Sequence, residues 1–141
     1  MSGYLLDTNV ISELTKVRPE AKVISWIQAS SEELLHLSVL TIGEIRKGID
    51  SLPRSNKRAL LESWLVNDLV LRFAGRILEV NLDIAERWGQ ISAQAKTAGG
   101  PLAVVDGLMA ATALHYNLIL VTRNTKDVQV AGINMLNPWQ L

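Results

Sequence analysis

The chain has 141 residues and no cysteine, which excludes disulfides and thiolate metal sites and leaves carboxylates and two histidines as metal ligands. Its 14 lysine and arginine residues balance 14 aspartate and glutamate residues, unlike a protein that holds nucleic acid mainly by charge. Aliphatic runs of only a few residues are far shorter than the ~20 residues of a membrane helix. We therefore expect a single domain over residues 1–141, without a membrane span or signal peptide, in the cytoplasm.

Short apolar runs along the chain predict β-strands, and helical patterns lie between them. The predicted strands cover residues 4–6, 34–37, 77–80, 118–122 and 133–136. The predicted helices cover residues 21–29, 42–49, 57–73, 82–96 and 104–116. Because strands alternate with helices and several strands are apolar throughout, the pattern predicts an α/β domain. Its sheet is expected to be mainly parallel, with about five strands, and covered on both faces.

Several acidic and amide side chains are predicted at the carboxyl edge of this sheet. Asp7 closes the first strand and opens a helix, and Glu44 is expected in the first turn of the helix after the second strand. Asp106 is expected in the first turn of the helix before the fourth strand. That strand continues into "RNTKD", which carries Asn124 and Asp127. Ligands of parallel sheets bind at this edge, so we expect these side chains to converge.

Each of these residues also has a purely structural interpretation. Asp7 can cap a helix, Thr41 and Glu44 have the spacing of a capping box, and Asp106 can complement a helix dipole. Capping gives no reason, however, for several acids to share one edge. Clustered carboxylates repel one another, and a divalent cation would relieve that repulsion. Oxygen ligands favour Mg²⁺ or Mn²⁺, which can activate water for attack on a phosphodiester.

Basic residues are concentrated in one segment of the chain. Five cations lie between positions 46 and 58, against the single acid Asp50. Such a run is typical of a solvated helix face, and it also suits contacts with RNA phosphates. The five residues are Arg46, Lys47, Arg54, Lys57 and Arg58.

Five stretches of the chain resemble PIN-domain ribonucleases of the VapC toxin type, and especially their FitB-like branch. They are "LLDTNVIS" (5–12), "LSVLTIGEIRKGI" (37–49), "VVDGLMAATA" (104–113), "LVTRNTKDV" (120–128) and "LNPW" (136–139). The resemblance lies in the order and spacing of all five, and it covers essentially the whole chain.

This resemblance implies a three-layer α/β/α PIN-like fold. It implies a metal-dependent endoribonuclease that hydrolyses RNA phosphodiester bonds as the toxin of a type II toxin–antitoxin system. It also implies a homodimer, or a higher assembly with a cognate antitoxin protein that blocks the site.

The resemblance also assigns roles by position. Asp7, Glu44 and Asp106 would bind Mg²⁺, or Mn²⁺, and would be catalytic together with Asp127. The supporting residues would be Thr8, Asn9, Thr122 and Asn124. Family members differ in where the fourth acid lies, and this chain has an amide at Asn124 and an acid at Asp127. Which of the two fills the fourth position therefore stays open.

Two other functions fit parts of the sequence. A phosphatase of the haloacid dehalogenase type also begins with a strand followed by an aspartate, but it needs a second aspartate where this chain has Asn9. A catalytically silent RNA- or protein-binding PIN module would keep the fold without the chemistry, and the presence of Asp7, Glu44 and Asp106 argues against it.

Overall fold

The computed structural model describes residues 3–128 and 132–141, except for the side chains of Asp127 and Val128. Strands run in the spatial order β3-β2-β1-β4-β5, and every neighbouring pair is parallel. The strands are β1 (Tyr4–Leu6), β2 (Leu35–Ser38), β3 (Ile77–Leu78), β4 (Ile119–Val121) and β5 (Met135–Leu136). The predicted parallel sheet is confirmed, with strands that are mostly shorter than the apolar runs suggested.

Helices occupy most of the remaining described chain. They are α1 (Thr8–Glu13), α2 (Ala21–Ala29), α3 (Val39–Asp50), α4 (Asn56–Ser63), α5 (Val70–Arg72), α6 (Leu82–Thr97) and α7 (Val104–Tyr116). A π-helix over Trp64–Leu69 joins α4 to α5, and 3₁₀ helices cover Glu32–Leu34, Thr125–Val128 and Pro138–Gln140. Within the described residues, none of these helices has the length and apolar character required to cross a bilayer.

The sheet separates two apolar layers because successive strand residues point to opposite faces. Leu6 and Val121 are fully buried in one layer, which packs against α1 to α4. Leu5 and Leu120 are fully buried in the other, which packs against α7. Burying a side chain of this size stabilises the fold by roughly 1.5–3 kcal/mol. This arrangement is the three-layer α/β/α fold that the resemblance implies.

Helix α6 packs closely on α7, and a glycine makes this possible. An added Cβ at Gly107 would lie 2.9 Å from Cδ1 of Trp88, a distance that side-chain carbons do not adopt. Trp88 itself packs with Ile84, Ile91 and Ala111 in the apolar contact between the two helices. Gly107 follows Asp106 directly, so this close contact also fixes the start of α7.

Two predicted helices differ from the structure. Helix α3 begins at Val39 rather than at residue 42, because the Ser38 side chain caps it by accepting a hydrogen bond from the Leu40 amide. Glu44 therefore lies in the second turn, and the expected first-turn position is wrong. The capping box is excluded as well, since Thr41 is a buried residue inside the helix. The predicted helix over residues 57–73 is interrupted by the π-helix at Trp64–Leu69.

An arginine pair fixes the edge of the sheet near β3. Arg72 and Arg76 both bind the carboxylate of Glu32, at 2.9 and 2.8 Å. Both guanidinium groups also lie over the ring of the fully buried Phe73. The hydrogen bond from Arg72, followed by that from Arg76, lowers the pKa of Glu32 from 4.5 to about 2.

We expect Glu32→Gln to lower the free energy of unfolding at neutral pH by about 1 kcal/mol, a small value because the Glu32 side chain is 46% exposed. Since its pKa is lowered in the folded state, the ionised form stabilises the protein fully above pH 4.5. This contribution is lost as the pH falls toward 2. Urea unfolding of both proteins across this range measures the difference.

The control for this experiment is Glu33→Gln, since the exposed Glu33 takes part in no ion pair among the described residues. A constant difference between wild type and Glu32→Gln from pH 7 down to pH 2 would contradict the role of the ion pairs.

Candidate active site

The candidate site lies where the strand order reverses. The chain adds β2 and β3 on one side of β1 and then adds β4 and β5 on its other side. At such a point a crevice opens beyond the carboxyl ends of the two neighbouring strands, here β1 and β4. Asp7 follows β1 directly, and its amide donates to the Val121 carbonyl of β4 at 2.9 Å. Thr122 follows β4. The sheet therefore brings two residues that are 115 positions apart into direct contact.

Asp7 has both carboxylate oxygens in hydrogen bonds. Oδ1 accepts from the Thr8 amide at 2.7 Å, which makes Asp7 the N-cap of α1. Oδ2 accepts from the Thr122 hydroxyl at 2.8 Å. Only 8% of the Asp7 surface is exposed. The structural interpretation of Asp7 as a cap is thus confirmed, and the carboxylate is held in one orientation by two elements.

Thr122 connects several residues of the site through one buried hydroxyl. Besides donating to Asp7, its Oγ1 accepts from Nδ2 of Asn9 at 3.3 Å and from the Asn124 amide at 3.1 Å. The side-chain oxygen of Asn9 in turn accepts from the Arg123 amide at 3.4 Å. Asp7 is therefore surrounded by Thr8, Asn9 and Thr122, three of the residues to which the resemblance assigns a supporting role.

Burial is the main cause that raises the pKa of Asp7, and the charges of Asp106 and Glu44 raise it further. The hydrogen bonds from Thr122 and Thr8 act in the opposite direction. Asp106 and Glu44 are therefore close enough to Asp7 for their charges to repel its carboxylate. This repulsion contributes less than burial does, and it has the direction expected of neighbouring acids.

Glu44 is held at the site by a threonine of α1. The Thr8 hydroxyl donates to Oε1 of Glu44 at 2.6 Å and lies 3.2 Å from the hydroxyl of Thr41. Glu44 is exposed, whereas Thr41 is fully buried. The role of Thr41 as a contact of Thr8 was missed from the sequence, because its spacing to Glu44 matched a capping box. A polar residue at an inward position of α3 was the available signal.

Asp106 is half-buried in the first turn of α7, as predicted. Asn124 is exposed, and its backbone amide joins it to Thr122. Asp127 lies on the 3₁₀ helix Thr125–Val128, and its side chain is outside the described part of the structure. The choice between Asn124 and Asp127 for the fourth acidic position thus stays a prediction.

The donor chemistry of Asp7, Glu44 and Asp106 fits a hard divalent cation, since all three offer carboxylate oxygens and repel one another. The geometry is not assembled in advance. Within the described residues, no three histidine, aspartate or glutamate side chains form a ready set of metal ligands. Glu44 is instead engaged by Thr8. Metal binding by Asp7, Glu44 and Asp106 therefore stays a prediction.

A cleft of about 460 Å³ opens beside Thr8 and Glu44. Lys16 and Lys57 line it together with these residues, and a second pocket that Glu44 also lines includes Lys47. Apolar side chains make up much of the remaining wall of the cleft, among them Ile45, Ile49, Leu52, Leu61 and Trp64. Acidic, basic and apolar groups thus meet within one depression next to Asp7.

The five predicted RNA contacts are divided among ion pairs and three separate pockets. Arg46 and Arg58 both pair with Asp50, at 3.4 and 3.6 Å, and Arg58 also pairs with Glu62 at 3.2 Å. Arg54 lies beside Arg58 in a separate shallow pocket. Of the five, Lys47 and Lys57 line pockets that include Glu44, and contact with RNA stays a prediction for all of them.

We expect Thr122→Val to raise the pKa of Asp7, because the substitution removes the hydroxyl that stabilises the ionised carboxylate. It should also lower the free energy of unfolding by about 1–3 kcal/mol, the usual cost of leaving a buried polar group unsatisfied. Thr122→Ser keeps the hydroxyl and is the matched control. Carboxyl ¹³C NMR titration of Asp7 measures the effect, and equal pKa values in wild type and Thr122→Val would contradict it.

Known proteins resemble this chain in sequence and in fold. The family description of the PIN domain matches residues 4–133. The VapC ribonuclease Y4jK of Sinorhizobium fredii is 38% identical over 136 residues, covering 96% of this chain and 97% of that protein. The toxin FitB of Neisseria gonorrhoeae is 38% identical over 135 residues, covering 96% and 97%.

The crystal structure of FitAcB from Neisseria gonorrhoeae superposes with a TM-score of 0.93 and 38% identity, over 98% of this chain and 99% of that chain. The family match and the relatives named above each cover most of the chain. The chain belongs to the PIN-domain family.

Proposed function

We propose that this protein is a metal-dependent endoribonuclease and the toxin of a type II toxin–antitoxin system. The observation that carries the proposal is the buried Asp7 carboxylate, which Thr8 and Thr122 hold at the sheet edge where Thr8 also binds Glu44. Burial raises the pKa of Asp7, and the charges of Asp106 and Glu44 add smaller contributions. Relatives named a VapC ribonuclease and a toxin, at 38% identity over nearly the whole chain, support it. Like charges gathered in this way favour binding of a cation.

Asp7, Glu44 and Asp106 would hold Mg²⁺ or Mn²⁺ in this proposal. When bound, such an ion supplies Lewis acidity that activates water for attack on a phosphodiester and offsets the charge of the phosphate. Thr122 and the Thr8 amide keep the Asp7 carboxylate oriented and favour its ionised form. Asp106 lies in the first turn of α7, where the helix dipole favours a negative charge.

The proposal includes a cognate antitoxin that covers the site. Glu44 lines a cleft that also has several apolar side chains, so a partner segment with basic and apolar side chains matches both the carboxylates and the cleft. An arginine of the partner placed among the carboxylates would substitute for the cation through charge-assisted hydrogen bonds. Solved structures named FitAcB and FitAB bound to DNA resemble this chain, with TM-scores of 0.93, and support an assembly of this type. A homodimer is part of the same proposal.

We expect Asp7→Asn, Glu44→Gln and Asp106→Asn each to abolish RNA cleavage, because each removes a negative charge proposed to bind the metal. Asp7→Asn should also be more stable than wild type at neutral pH. Burial raises the folded-state pKa of Asp7 above 3.8, so the ionised carboxylate destabilises the fold above that pKa, and the effect vanishes below pH 3.8. Mapping of new RNA ends with and without Mg²⁺, together with urea unfolding, measures both effects.

Asp127→Ala provides a graded comparison. If Asp127 orients groups around the ligands rather than binding the metal itself, its removal should reduce cleavage by about 10–100-fold and raise the Mg²⁺ requirement. Wild-type cleavage rates in Asp7→Asn would refute the active-site assignment. Absence of cleavage by the wild-type protein, with retained RNA or protein binding, would instead indicate a catalytically silent PIN module.

Expression of the protein alone should arrest bacterial growth, and coexpression of a small protein encoded beside its gene should relieve the arrest. Asp7→Asn, which keeps the cap of α1, is the matched control and should be harmless. Growth measured after induction tests this. Harmless expression of a protein that cleaves RNA in vitro would contradict the toxin role while leaving the nuclease proposal intact.

A further inference from the structure

Arg123 lies at the rim of the candidate site, and none of the roles described above involves its side chain. It follows Thr122, whose hydroxyl binds Asp7, and its own amide donates to the Asn9 side chain. The residue is exposed. Its backbone is thus joined to the same network that orients the Asp7 carboxylate, which fixes where the arginine side chain starts.

The C-terminal segment holds Arg123 from the other side. Nδ2 of Asn137 donates to the Arg123 carbonyl at 3.2 Å, and Oδ1 of Asn137 caps the last 3₁₀ helix by accepting from the Trp139 amide. The guanidinium carbon of Arg123 lies over the Trp139 ring, 5.2 Å from its centroid. Trp139 is itself packed against the apolar layer. Asn137 and Trp139 of the "LNPW" stretch therefore hold the backbone and the side chain of Arg123, respectively.

The Arg123 guanidinium keeps its hydrogen-bond donors available. Within the described residues it takes part in no ion pair. Its charge acts on Glu13 through space, but the hydrogen bond from Lys16, at 2.8 Å, is the main cause that lowers the pKa of Glu13, and Arg123 contributes least. Stacking on an aromatic ring uses the face of the guanidinium and leaves its in-plane N–H groups free.

We propose that Arg123 binds a phosphate of the RNA beside the candidate site and that Trp139 positions it there. Stacking on Trp139 gives the guanidinium group of Arg123 a fixed position next to the segment that follows β4. Its planar fork then suits the two oxygens of a phosphate. The inference rests on the proposed ribonuclease function, since it concerns how that substrate is held.

The test compares wild type with Arg123→Ala, Arg123→Lys and, as the matched control, Arg87→Ala. Arg87 is an exposed arginine of α6 that takes part in no ion pair among the described residues. Cleavage of a single-stranded RNA of mixed sequence gives KM and kcat. Binding of the same RNA, labelled with a fluorophore, is measured against salt concentration in proteins that also carry Asp7→Asn.

Arg123→Ala should raise KM about tenfold, as expected for one lost charge-assisted contact, and should change kcat much less. The slope of log affinity against log salt should fall by about 0.7, the value for one phosphate contact to single-stranded nucleic acid. Arg123→Lys should retain the salt slope, since it keeps the charge, but lose part of the affinity with the fork. Arg87→Ala should match wild type in both measurements.

The role of Trp139 is tested by a double-mutant cycle. Trp139→Leu should raise KM, Trp139→Phe should largely restore it because a ring face is kept, and Trp139→Leu should add nothing in an Arg123→Ala background. Thermal unfolding of each variant shows whether a change in KM comes from lost packing of Trp139 rather than from misplacement of Arg123. Additive effects of the two substitutions would show that Trp139 acts apart from Arg123 and would overturn its positioning role.

An unchanged KM and salt slope in Arg123→Ala, with wild type cutting the RNA, would overturn the phosphate contact and leave the proposed function standing. Weaker antitoxin binding with unchanged RNA binding would assign Arg123 to the protein partner and would also overturn the phosphate contact. If wild type fails to cut RNA, the proposed ribonuclease function is wrong, and the salt slope still tests whether Arg123 contacts a phosphate. If wild type does not bind RNA at all, both the proposed function and the phosphate contact are wrong.

Discussion

The hydrogen bond between the Thr122 hydroxyl and the Asp7 carboxylate is the contact around which the site is organised. It joins the ends of the central strand β1 and its neighbour β4 across the crevice at the carboxyl edge. Burying a carboxylate is costly unless it is hydrogen-bonded, and both Asp7 oxygens are. Burial nevertheless raises the pKa of Asp7, and two neighbouring acids add to the rise. The fold thus maintains a carboxylate in an unfavourable place, a conflict that is typical of functional sites.

Topology explains why residues so distant in sequence meet. The strand order places β1 in the centre, so the chain must leave it toward β2 and return on the opposite side as β4. Helices α1, α3 and α7 begin at the same edge, and each contributes an acid at its cap or within its first two turns. The site therefore follows from the parallel arrangement itself.

The parts of the fold that depend on local pattern were predictable from the sequence. Helices α2 and α7 have the predicted bounds, and Asp106 lies in the first turn of α7 as expected. The predicted start of α3 was wrong because Ser38 and Thr41 are both residue types that cap helices well. The choice between them depends on where β2 ends, which is a tertiary property. The pairing of Arg46 and Arg58 with Asp50 likewise depends on the angle between α3 and α4, which periodicity does not specify.

The three acids of the site are held with different firmness. Asp7 is anchored by the sheet, by its own cap and by a buried hydroxyl, so its position is fixed by contacts that also maintain the fold. Glu44 is exposed on α3, and the contact that joins it to the site is one hydroxyl of Thr8. A change of its side-chain rotamer would break one hydrogen bond and leave the core untouched. The rigid part of the site therefore belongs to the scaffold, and the adjustable part belongs to the helix that borders the cleft.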